Sequence, residues 1–146
     1  MIDLTSLNPI VKLRLMLKCD PTIQRYNSIL SDDIPTINME VYNDLLEILG
    51  EDLHELADDF LLDTPPQLTL LSSSVNESNF DEIFKIAHFL IGSSGNLGLE
   101  KFCDICDKLC LQAKEKNIES CIMLEKSLVK NFSEAKALLT EKLNNI

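Results

Sequence analysis

Tryptophan is absent from the sequence, and glycine and proline are scarce, with four and five copies in 146 residues. Alternating apolar and polar runs are also missing, which argues against a sheet and for an all-helical fold. Basic residues are few: 13 lysines and arginines face 24 acids, for a net charge of −11. That sign excludes a nucleic-acid backbone or an anionic membrane surface as the partner, because both require a basic face. No run of about 18 apolar residues is present, so no membrane span is expected. The amino terminus lacks the basic-then-apolar order of a secretory signal, since Lys12 and Arg14 interrupt its apolar stretch. Five cysteines, an odd number, fit a reducing compartment better than a disulfide framework. The expected location is cytoplasmic.

Leucine, isoleucine and alanine are plentiful, and the length suits one domain able to bury a continuous core. The chain divides into an amino-terminal helical extension over 1–36 and a helical bundle over 37–146. In the extension, Asn8-Pro9 and Asp20-Pro21 each provide a cap followed by a first-turn proline, and so predict one or two short helices. From Asn38, the residues Val41, Leu45, Leu46 and Leu49 set a helical period that Gly50 ends. A new helix then begins, with Leu53, Leu56, Ala57, Phe60 and Leu61 on its apolar face. Pro65 and Pro66 inside it predict a kink or a fresh start near Thr64 from backbone chemistry alone. Ser78 or Asn79 caps the next helix, Asn96 to Gly98 break it, a helix follows over 100–116, Asn117 marks the turn after it, and a last long helix carries an apolar stripe from Cys121 through Leu124, Leu128 and Phe132. Four main helices with short connections predict an antiparallel up-down bundle, with the amino-terminal segments covering one end or side.

Residues 86–99 read IAHFLIGSSGNLGL and are the most informative stretch. Ile83, Ala87, Leu90 and Leu97 form one apolar stripe, and His88 lies roughly 140° from its centre, facing out. Gly92 and Gly95 lie on the same side as His88. Two interior glycines cost about 0.5 to 1 kcal/mol each relative to alanine, so they either give a partner access to the imidazole or let another helix pack closely.

Cys103, Cys106 and Cys110 are spaced three and four apart, and so admit a metal site. The same three residues share a stripe with Leu99, Phe102, Leu109 and Ala113, which favours core packing. Cys19, Cys121 and His54 lie on other segments, and no fourth ligand stands out. Lys101, Lys108 and Lys114 on this helix either guide an acidic partner or balance the helix's own acids.

The register of His88, Leu90, Gly92, Ser93, Ser94, Leu97 and Gly98 resembles the signature of the histidine-containing phosphotransfer (HPt) domain family. The resemblance covers about 37–143, and it implies one long helix through the prolines, bent there, over about 51–73. It also implies that His88 accepts a phosphoryl group from the aspartate of a response-regulator receiver domain and passes it on. Receiver domains, with a hybrid histidine kinase, are then the expected partners. The chain would be a carrier rather than a catalyst, a monomer without a cofactor of its own, with magnesium held by the receiver. The supporting residues would be Gly92 for clearance, Ser93 and Ser94 near the imidazole or bonded back to the helix, and Lys85 toward the phosphate. Phe84, Ile91 and Gly95 would contribute a docking patch. Ile91 stands where the family carries a lysine that helps to neutralise the phosphate. That difference leaves a second reading, an HPt-like protein that binds a kinase or receiver without phosphotransfer. A third reading, unrelated to phosphotransfer, is a helical adaptor or metal-binding bundle built on the three cysteines.

Overall fold

The computed structural model describes residues 34–144. The expected helices after Asn8 and Asp20, and Cys19 with them, lie outside the described residues. Within them the structure is helical, without strands: α1 (Met39–Leu49), α2 (Asp52–Asn76), α3 (Phe80–Gly95), α4 (Glu100–Lys114) and α5 (Ile118–Leu143). No helix among the described residues is long and apolar enough to cross a membrane.

Three asparagines start helices in the same way. The side chains of Asn38, Asn79 and Asn117 accept from the N–H groups of Val41, Glu82 and Ser120, each meeting an otherwise orphaned donor. The second of these settles the start of α3 on Asn79; Ser78 adopts a positive φ of 53° just before it. Gly50, at φ 54°, ends α1, a backbone state that costs glycine little.

Pro65 and Pro66 neither start a new helix nor stop α2, which runs through both as one element. Both prolines are exposed, and Thr64 before them is buried against the core. The carbonyls that the prolines leave without a donor lie four residues back, at the half-buried Leu61 and the exposed Leu62. Thr69 donates its hydroxyl to the Pro65 carbonyl at 3.2 Å, which adds a bond on the same side.

α2, α3, α4 and α5 close a ring: α3 packs on α4, α4 on α5, α5 on α2 and α2 on α3. Each contributes one apolar face to a shared core in which Leu53, Leu71, Leu90, Leu109, Leu128 and Leu139 are wholly buried. Phe60 of α2, Phe102 of α4 and Phe132 of α5 meet at its centre, with ring centroids 5.5 to 6.4 Å apart. Burial of this kind, at about 25 cal/mol per Å² of apolar surface, is the main stabilising term.

α1 lies against the turn between α3 and α4. The Asn38 N–H donates to the Gly98 carbonyl at 2.8 Å and the Asn38 amide to Glu100 Oε1 at 2.8 Å. Gly98 has φ 72°, and a Cβ there would sit 3.0 Å from Val41 Cγ1. The turn that ends the His88 helix is therefore clamped from outside.

Candidate functional site

α3 carries the site. Ile83, Ala87 and Leu90 on its inner face are fully buried, which fixes the rotation of the helix and turns His88 outward. The imidazole is exposed, and the described residues make no hydrogen bond to it. Its closest organised neighbour is Phe84, one turn earlier, whose ring lies 5.8 Å away between centroids and 6° from parallel.

Phe84 is in turn held by α4. The Cys110 thiol donates to the Phe84 carbonyl at 3.9 Å, and Lys114 places its Nζ 5.0 Å from the centre of the Phe84 ring. Further along, the Cys103 thiol donates to the Ile91 carbonyl at 3.8 Å. These two contacts, 84 with 110 and 91 with 103, define an antiparallel register for α3 and α4. Cys103, Cys106, Cys110 and Cys121 are all buried cysteines, and no group of three or more histidine, cysteine, aspartate or glutamate side chains among the described residues could hold a metal. The three cysteines of α4 belong to the core.

On the far side of His88, one turn on, a Cβ added at Gly92 would meet nothing within 4 Å. Space above the helix is open there. Gly95 ends α3 and accepts from the Gly98 N–H at 3.1 Å. Ser93 and Ser94 bond back to their own helix: both hydroxyls donate to the Leu90 carbonyl, at 3.3 and 2.6 Å. Ser94 is fully buried and also reaches the Ile91 carbonyl at 3.4 Å. Neither hydroxyl is directed to the imidazole.

Lys85 is exposed and pairs with Glu82 at 3.7 Å. Lys108 pairs with Asp104 at 3.1 Å. Ile91, expected on a docking patch, is only 4 % exposed. α3 packs against both α2 and α4, so its buried arc is wide enough to take in this residue, and its side chain is not part of the surface. Phe84 stays at the half-buried margin, as a stacking partner for His88. The exposed apolar residue beside His88 is Phe89, 40 % exposed. It was not among the residues expected to form the docking patch, although its place directly after an outward histidine is a signal the sequence carries.

A family model described as the Hpt domain matches residues 40–141. The fold is similar to the crystal structure of histidine-containing phosphotransfer protein B (HptB) from Pseudomonas aeruginosa PAO1, with a TM-score of 0.73 at 20 % sequence identity, over 77 % of this chain and 97 % of that one. No curated protein matches the chain.

Proposed function

The chain belongs to the Hpt domain family, and from that premise we propose that it is a phosphorelay intermediate carrying a phosphoryl group on His88 between receiver-domain aspartates. The observation that supports this best is an exposed imidazole on a rigid helix with open space above Gly92, one turn on. Imidazole is well suited to carrying the group, because one ring nitrogen attacks phosphorus and the protonated ring is a good leaving group near neutral pH.

The chain's own contribution is position and access. Ile83, Ala87 and Leu90 anchor the helix, Phe84 supports the ring, and the absence of a side chain at Gly92 lets a second protein approach in line. The acidic groups and magnesium would come from the receiver, so the chain acts as a carrier, without a cofactor of its own. Receiver domains and a hybrid histidine kinase are the partners, the site of action is the cytoplasm, and the carrier is a monomer.

One observation favours a second reading. Ile91 brings no cation to the site and is buried, as expected of an HPt-like protein that docks on a kinase or receiver without exchanging phosphate. Phosphoryl transfer from a phosphorylated receiver domain, run with wild type and His88→Gln, separates the two. Acid-labile label on the wild type alone supports the carrier. An unlabelled wild type that still binds the receiver supports the docking protein.

A further inference from the structure

Two acids of α4 are buried where the helix turns them away from the core. Residues two apart on a helix lie ~200° apart around its axis, so Asp104 stands opposite Cys106 and Asp107 opposite Leu109. Cys106 and Leu109 are wholly buried in the core, yet Asp104 and Asp107 are each only 3 % exposed. With Glu100 they follow at steps of four and three, one acidic stripe along the outer side of α4. Among the described helices α4 packs along α3 and α5, which adjoin its core side. Burying a carboxylate is costly unless a cation or a donor meets it. Lys108 meets Asp104 at 3.1 Å, but it belongs to the same helix and does not cover the stripe.

The described chain begins at Ile34, beside the first turn of α4: the Pro35 carbonyl accepts from the Lys101 N–H at 3.1 Å. Asp107 lies six residues beyond Lys101, about 9 Å along a helix axis. Residues 1–33 therefore lead away from a point next to the buried stripe and are long enough to pass along it. Their chemistry is complementary. No acid occurs from Leu4 to Cys19, and Lys12, Arg14 and Lys18 are interleaved with Val11, Leu13, Leu15 and Leu17. We propose that the outer side of α4 is the docking surface for the chain's own amino-terminal segment, residues 1–33, whose basic run from Lys12 to Lys18 meets Glu100, Asp104 and Asp107. The apolar residues of the run exclude water from the stripe, and its cations replace the hydration that the carboxylates give up. A second copy is a poorer occupant, because each copy carries a net charge of −11 and like charges repel. The consequence for His88 is directional. With the outer side of α4 covered, a protein reaching the imidazole approaches over α3, where Gly92 leaves space open. The Cys103 and Cys110 contacts tie α4 to the backbone of α3, so the same segment braces the helix that carries His88.

Carboxyl footprinting of the full chain, with a carbodiimide and glycine ethyl ester read by mass spectrometry, tests this. In wild type, Asp104 and Asp107 should resist labelling while the exposed Asp59 and Asp81 react. The variant Lys12→Glu/Arg14→Glu/Lys18→Glu sets acid against acid and should release the segment, raising the labelling of Asp104 and Asp107 about tenfold or more. The conservative Lys12→Arg/Lys18→Arg should leave both protected. Slow reaction of the buried Cys106 and Cys121 with a thiol reagent checks that the bundle stays closed in each variant. If charge reversal opens the bundle as well, the neutral Lys12→Gln/Arg14→Gln/Lys18→Gln takes its place, with a smaller rise expected at the same two residues. Asp104 and Asp107 that stay protected in a closed bundle without these bases, or that label freely in wild type, overturn the assignment. Protection that falls on dilution gives the cover to a second copy and overturns it too.

Discussion

The ring of Phe84 and the imidazole of His88 lie 6° from parallel, with centroids 5.8 Å apart. They are one turn apart on α3, the spacing at which helix side chains meet. The pair joins the core to the surface, because Phe84 is half-buried and His88 is exposed. Orientation of the imidazole is thus tied to the packing of α3 on α4.

Replacing that flat partner while keeping its bulk tests the link. Phe84→Leu should keep the fold, at a cost of about 1 kcal/mol, since an aromatic pair is worth roughly 0.5 to 1.5 kcal/mol beyond its buried area. Phosphoryl transfer from a receiver to His88 should slow several-fold, as a less restrained ring spends less time in line. Stopped-flow transfer kinetics beside a thermal melt would check both. A slower rate with wild-type stability, or the reverse, would separate orientation from packing.

Gly92 sets stability against access. A Cβ there meets nothing within 4 Å, so Gly92→Ala should stabilise the helix by about 0.5 to 1 kcal/mol. The larger Gly92→Leu should still fold, because its side chain would extend into open space. It should lose transfer from a receiver protein while still accepting phosphate from a small donor such as phosphoramidate. Equal loss with both donors would mean that the side chain disturbs His88 itself.

The helix boundaries were legible because they are set locally: Gly50, Asn79 and Asn117 each act through backbone groups within a few residues. The outward position of His88 was legible too, from the stripe of Ile83, Ala87 and Leu90. Ile91 was harder. A single helical wheel gives the centre of the buried arc but not its width, and the width depends on how many helices pack on α3. Lys114 lay further out of reach. Lysine next to acids on α4 reads as a solvated charge, and only the α3–α4 register, carried by contacts of Cys103 and Cys110 far along the chain, brings it to Phe84. Continuity of α2 through Pro65 and Pro66 was legible from the family pattern but not from proline chemistry alone, which predicts a kink or a fresh start there.

The turn behind the site should be intolerant of change. Gly98 combines φ 72° with a prospective Cβ only 3.0 Å from Val41 Cγ1 and 3.4 Å from the Asn38 carbonyl. Gly98→Ala must carry both strain and overpacking, and should lose about 1 to 3 kcal/mol in chemical denaturation. α1 should loosen first, because its Asn38 N–H bonds to the Gly98 carbonyl. Hydrogen exchange that rises in α1 before α2 to α5 would confirm that order; uniform exchange would place the strain in the bundle as a whole.

Alkaline pH should weaken the fold through groups buried away from His88. Burial pushes the Cys121 thiol above its ordinary value of 9.0 and the Tyr42 phenol above 10.0, because the charged form loses its hydration. An unfolded chain releases these protons at the ordinary values, whereas the folded chain holds them to higher pH. Over that interval the native state binds more protons, so stability falls as pH rises. Their contribution is complete below pH 9.0 and is lost as pH climbs through the raised folded values. The melting temperature should therefore begin to fall near pH 9.0, where the unfolded chain starts to release the Cys121 proton, and fall further near pH 10.0, where it starts to release that of Tyr42. Cys121→Ala should melt lower at neutral pH, from the lost sulfur contacts, yet decline less steeply through the first part of the alkaline range. A slope identical to wild type would remove Cys121 as its source and leave the loss to other groups.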